Sequence, residues 1–216
     1  AKLDLRDGTG VTPLMTAARG GREATAKALL AAGADVAVKG NHRVYQATAL
    51  HMAAQGGHLA LVEALLEAGA RVDSRMTLGS SPLGVAAERG HTAVVERLIK
   101  AKAAVGFKNI YGINALAAAA AGQHLGTIRV LARAGCRVSS RDRNGTTALH
   151  VAAKAGHSAV AAALLEVGAD PTVANDDGDT PADLARRKRD FEMVKLLGKA
   201  EAEMAAAGRG AGAAGG

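Results

Sequence analysis

Aromatic side chains are nearly missing from this sequence: two Phe, two Tyr and no Trp among 216 residues. A single rounded core of that size leans on large rings to fill its centre, so the composition argues for thin layers of small residues instead. Cysteine occurs once, at Cys136, which excludes an internal disulfide and fits a reducing compartment. On that ground an intracellular, cytoplasmic protein is expected, with the nucleus as a second location. No apolar run reaches the roughly 18 residues of a membrane span. What the sequence does have is Ala, Leu and Val, 27 Gly as punctuation, and a net charge of +7. That charge attracts acidic proteins, nucleic acid or lipid headgroups alike and separates none of them.

The chain repeats. Short openings before apolar runs begin at Thr12, Thr48, Ser81, Asn114, Thr147 and Thr180, at spacings of 36, 33, 33, 33 and 33. A fixed period of this length means stacked supersecondary units. The fifth unit is the clearest. Asp142 to Gly145 predicts a turn with Gly145 at positive φ. Thr147 predicts an N-cap, and Pro13, Pro82 and Pro181 take the first helical position in other units. A helix is expected over about 148–155, a break at Gly156, a second helix over about 158–167 and a left-handed cap at Gly168. Each helix is too short to stand alone in water, so stability must come from neighbour to neighbour along the array.

The openings Thr12-Pro13-Leu14-Met15, Thr48-Ala49-Leu50-His51 and Thr147-Ala148-Leu149-His150 are followed by alanine pairs. These are Ala17-Ala18, Ala53-Ala54, Ala86-Ala87, Ala119-Ala120 and Ala152-Ala153. Gly57-His58, Gly90-His91 and Gly156-His157 come next, and units close on Gly33-Ala34-Asp35 or Gly168-Ala169-Asp170. In this register the sequence resembles the ankyrin-repeat family. The resemblance implies an all-α fold: an ankyrin-repeat solenoid of about six stacked helix-turn-helix units with projecting hairpin loops, or fingers. The units are expected at about 7–39, 43–75, 76–108, 109–141, 142–174 and 175–198, with a Gly/Ala-rich flexible tail over 199–216. Residues 1–6 match the end of a unit, so an earlier repeat is expected upstream, with a natural capping segment as the alternative.

Some positions depart from the pattern. Gln46 stands where a turn glycine is expected, and the three extra residues near Gly40-Asn41-His42 predict a longer or irregular second finger. Lys102 replaces a cap glycine, which strains a left-handed turn by about 1–2 kcal/mol. Gly122-Gln123-His124 shifts a glycine by one, and Arg189 replaces the inter-helix glycine of unit six.

No catalytic set emerges, and the chain is read as a non-enzyme without cofactor or metal. Six of the seven His sit at repeat-defined positions, so equivalents lie about 10 Å apart, too far for one zinc with bonds near 2 Å. They read as structural, hydrogen-bonded to backbone, and His42 reads as solvated. Cys136 reads as a small packed residue; an activated thiol would need a neighbouring cation such as Arg137. Asp176, Asp177 and Asp179 read as a solvated acidic tip, since the downstream Glu of an EF-hand loop is missing. Arg186-Arg187-Lys188-Arg189 reads as a basic turn or an import signal.

Function is therefore expected on the variable surface. One column is apolar: Val44, Tyr45 and Ala47, then Met76 and Leu78, then Ile110, Tyr111 and Ile113. Such residues serve as interface anchors or pack between adjacent fingers. The other column is basic: Arg6, Lys39, Arg75, Lys108 and Arg141, with Arg143 beside it. It is either solvated charge or an attractor of an acidic or phosphorylated segment. The resulting expectation is a monomeric, non-catalytic scaffold or adaptor that binds an acidic protein segment in its concave groove. The alternatives are nucleic-acid or anion binding through the basic stripe, and the targeting module of a larger enzyme.

Overall fold

The computed structural model of the chain describes residues 3–212, with the side chains of residue 42 and of 208–212 outside the description. Twelve α-helices occur among the described residues, in pairs. They are α1 (Pro13–Arg19) with α2 (Glu23–Ala31), α3 (Ala49–Gly56) with α4 (Leu59–Glu67), and α5 (Pro82–Glu88) with α6 (Thr92–Lys100). Then follow α7 (Ala115–Ala121) with α8 (Leu125–Arg133), α9 (Ala148–Ala155) with α10 (Ser158–Glu166), and α11 (Pro181–Arg187) with α12 (Phe191–Gly212). They fall into two compact units, divided along the chain between Cys136 and Arg137.

In the first unit each opening helix packs on the next, α1 on α3, α3 on α5 and α5 on α7. The second helices follow suit, α2 on α4, α4 on α6 and α6 on α8. The alanine pairs Ala17-Ala18, Ala53-Ala54, Ala86-Ala87 and Ala119-Ala120 are buried in these layers. Their methyl groups let the helix backbones approach closely. Leu14, Leu50, Leu83 and Leu116 are fully buried from the opening helices, and Leu61, Leu65, Leu98, Ile128 and Leu131 from the second. Each contributes roughly 1.5–3 kcal/mol of apolar burial. In the second unit α9 packs on α11 and α10 on α12, around Leu149, Leu164, Met193 and Leu197.

The helix starts are capped as their residue types demand. The Thr12, Ser81 and Asn114 side chains accept from the amides of Met15, Gly84 and Ala117, at 3.2, 3.2 and 2.8 Å. Such caps are each worth about 1 kcal/mol. Lys102, Gln46, Gln123 and Arg189 all take positive φ, between 53° and 67°, so each holds the left-handed conformation of the glycine it replaces.

The tail expected over 199–216, whose first part also reads as a continuation of the last helix, begins as helix: α12 runs on through Gly212. Ala dominates the segment after Leu197, with Glu201, Glu203, Lys199 and Met204 beside it, and these favour helix up to Ala207, before the glycines begin again. Lys199 and Glu203 stand one turn apart as an ion pair at 3.7 Å. Residues 213–216 of that tail lie outside the described residues.

Candidate binding surface

The fingers are tight turns built on an Asn or Asp side chain. Asn109 Oδ1 accepts from the amides of Tyr111 and Ile113 at 2.9 and 3.0 Å, and Asp142 and Asn175 serve their own turns alike. In finger three Met76 stands in that place, and the turn closes through backbone alone, Gly79 N–H donating to the Met76 carbonyl at 2.9 Å. Finger two is irregular, as its extra residues predict. It contains a 3₁₀ turn over His42–Val44, and both Tyr45 and Gln46 are left-handed.

Adjacent fingers are joined by main-chain hydrogen bonds. Thr77 N–H donates to the Tyr45 carbonyl at 2.8 Å, and Ile110 N–H donates to the Leu78 carbonyl at 3.1 Å. Tyr45 and Leu78 thus hold one position in successive fingers. Tyr111 holds it in the next, as the third residue of the Asn109–Gly112 turn that matches Met76–Gly79. All three side chains are exposed, at 56%, 37% and 50% for Tyr45, Leu78 and Tyr111, and Ile110 beside them is exposed at 40%. Met76 and Ile113 are half-buried, and Val44 is too. Ala47 does not belong to this column; it is buried, because its amide and carbonyl close the base of finger two on Val44 and Gly40.

The basic column is partly engaged within the protein. Lys39 Nζ donates to the Arg75 carbonyl at 3.0 Å. The Arg75 guanidinium lies over the Phe107 ring, 3.4 Å from its centre. Lys108 is exposed. In the second unit Arg141 pairs with Asp176 at 2.8 Å, and Arg143 is exposed.

The histidines are structural where their bonds are visible. Thr48 N–H donates to His51 Nδ1 at 3.2 Å, so the ring proton sits on Nε2 and is donated to the Ser80 carbonyl at 3.2 Å. His150 does the same with Thr147 and the Asp179 carbonyl. Burial holds the His51 pKa down at about 4, and burial lowers that of His150 as well. His58, His91 and His124 each reach back one repeat, to the carbonyls of Arg19, Gln55 and Glu88 at 3.2, 2.9 and 3.0 Å. The expected exposure of His42 lies outside the described residues. No group of three or more His, Cys, Asp or Glu within reach of one metal ion occurs among the described residues. Cys136 is buried, its thiol donates to the Val105 carbonyl at 3.2 Å, and burial pushes its pKa up.

The acidic tip of finger six is only partly solvated, which corrects the sequence reading. Asp176 and Asp177 are exposed, but Asp179 is buried. Its carbonyl accepts from His150 and its carboxylate takes both Nη1 and Nη2 of Arg187. Within the basic run, Arg186 also pairs with Asp183 at 2.7 Å. The contacts that sequence reasoning missed are Arg75 on Phe107 and the unpartnered buried hydroxyl of Ser74. Ser74 and Ser140 stand where Val38, Phe107 and Val173 carry apolar groups, which was the available signal.

A family model described as ankyrin repeats (3 copies) matches residues 1–76 and 74–142. A second, described as ankyrin repeats (many copies), matches residues 130–185. No curated protein matches the chain. No helix among the described residues is long and apolar enough to cross a membrane.

Proposed function

Since the chain belongs to the ankyrin-repeat family, whose repeats are protein–protein interaction modules, we propose that it is a non-catalytic adaptor holding an acidic segment of a partner protein along its finger row. The observation that carries this reading is the shared position of Tyr45, Leu78 and Tyr111, exposed on three yoked fingers. Exposed rings and aliphatic chains gain little from water, whereas a few such anchors supply most of the energy of an interface. Ile110, with Met76 and Ile113 half-buried behind, extends the apolar strip.

Lys108 and Arg75 precede fingers four and three in sequence and are exposed, as is Arg143 in the second unit. This favours an acidic partner and speeds its approach. A cytoplasmic, monomeric protein suits this role. Nucleic acid is the weaker partner, because the exposed rings of Tyr45 and Tyr111 stand two fingers apart with Leu78 between them, which makes no stacking platform for successive bases.

Affinity capture with the wild type, Tyr111→Ala and Lys108→Glu tests the reading, with circular dichroism to verify folding. Loss of the same partner by both variants is expected. Unchanged recovery by both folded variants rejects it. Filter binding at two salt concentrations covers nucleic acid, where strong salt-dependent retention would favour that partner instead.

A further inference from the structure

At the base of fingers two and three lies a hollow of about 240 Å³. Its polar lining is Lys39, Thr48, Arg71, Asp73, Ser74 and Arg75. It is smaller than the roughly 300 Å³ at which pockets for drug-sized ligands begin, and it is sized for one side-chain group.

Three cations and one acid line this space. The acid is already engaged: Asp73 Oδ1 accepts from the Ala104 amide at 3.0 Å. The Thr48 hydroxyl is engaged as well, with His51 Nδ1 at 2.9 Å. The Ser74 hydroxyl is not. Its oxygen is buried without a hydrogen-bond partner, a condition shared only with Ser140 among the described residues. A buried hydroxyl left unpaired opposes folding, and such exceptions in a native fold call for a specific cause. The Arg75 guanidinium is restrained by the Phe107 ring that it lies over. Stacking of that kind fixes a guanidinium while leaving its in-plane N–H donors for an anion. Lys39 spends one of its three donors on the Arg75 carbonyl.

The second unit supplies a contrast. Ser140 occupies the same repeat position as Ser74, and Arg141 that of Arg75. There the protein provides an anion for the arginine, because Arg141 pairs with Asp176, while the Ser140 hydroxyl stays unpartnered as that of Ser74 does, so the contrast concerns the arginines. The residue that stands to Arg75 as Asp176 stands to Arg141 is Ile110, which has no charge to offer.

We infer that the hollow is a phosphate-monoester site that takes a phosphorylated side chain of the partner. This rests on the reading above, since the phosphate belongs to the segment held by the finger row. Three cations less one acid match a dianion, and a lining that includes two Arg, one Lys and a hydroxyl suits a tetrahedral group with three accepting oxygens. A planar carboxylate would leave part of that set unused.

The test uses the full chain and two probes. In the first arm, inorganic phosphate is titrated while amide resonances are followed by NMR. Saturable shifts are expected at Thr48, Ser74 and Arg75. Ser74→Ala and Arg71→Gln should each weaken binding by about tenfold or more, while Ser140→Ala leaves it unchanged. Non-saturating shifts spread over the basic surface, or an unaltered affinity in folded Ser74→Ala, overturn the site.

In the second arm, a short Leu- and Glu-rich peptide carrying one phosphoserine is compared with its unphosphorylated form. Binding of the phosphopeptide at least about tenfold tighter than either that form or inorganic phosphate is expected. A phosphopeptide no tighter than inorganic phosphate overturns the assignment to a partner side chain. Tyr111→Ala should weaken the peptide and leave inorganic phosphate untouched, so failure of the finger row and failure of the hollow appear in different arms.

Discussion

The imidazole of His91 occupies the space that a β-carbon on Gly57 would need, with Nδ1 only 2.5 Å from that position. Gly57 is also left-handed, at φ 73°. The pattern recurs one layer on either side, with His58 against Gly21 and His124 against Gly90. Gly21, Gly57 and Gly90 are therefore joints between layers. The glycine gives room, and the next histidine enters it to reach a carbonyl of the earlier repeat.

Gly57→Ala should destabilise the protein by about 2–3 kcal/mol, combining left-handed strain with a displaced ring and its hydrogen bond. Gly33→Ala makes the comparison, because Gly33 has φ 88° but nothing within 4 Å of the added carbon. It should lose only about 1–2 kcal/mol. Urea denaturation of the two variants measures the gap, and equal losses would mean that the ring contact contributes nothing.

Lys102 sits at φ 67° where sister repeats carry Gly33, Gly69, Gly135 and Gly168. Lys102→Gly should raise stability by about 1 kcal/mol, since relief of the left-handed strain outweighs the added freedom of the unfolded chain. A lower urea midpoint for this variant would contradict the strain argument.

Stability should fall on mild acidification. His51 has an ordinary pKa near 6.5 when unfolded and about 4 when folded, because burial disfavours the cation. Between those values the unfolded chain binds more protons, so stability is complete above pH 6.5 and declines as pH drops toward 4. The full loss from this residue is roughly 3 kcal/mol, and His150 shifts in the same direction. Asp7 and Asp183 are held below their usual range by hydrogen bonds from Thr9 and Thr180 respectively, so their losses begin only at lower pH. Urea midpoints from pH 7.5 to 4.5 should slope downward for the wild type and flatten in His51→Gln.

Ion pairs should differ in worth according to burial. Asp179 is buried with both oxygens on Arg187, whose side chain is itself exposed. Arg187→Ala should cost about 1–2 kcal/mol, less than a fully buried pair because water reaches the arginine. Lys27→Ala, which breaks the exposed pair with Glu23, should shift the urea midpoint far less, because water screens both charges. Parallel denaturation curves in low and high salt check the ranking.

The repeating frame was legible because its signals are local. A threonine before a proline, an alanine pair and a glycine at the end of a helix each act within a few residues. Hence the α9 bounds, the left-handed Lys102 and the irregular second finger follow from the sequence. Partners about thirty residues away left no such mark. Nothing near Arg141 announced Asp176, nor near Arg75 announced Phe107. Asp179 read as solvent-facing because its neighbours are acidic, while Arg187 and His150, the groups that bury it, come from two helices.

The bonds between fingers, Thr77 to Tyr45 and Ile110 to Leu78, use amides and carbonyls only. Aim and identity of the tips are thus separable. A tip can exchange tyrosine for leucine while its direction stays set by the chain behind it. New targets become reachable through single substitutions, with no redesign of the scaffold that presents them.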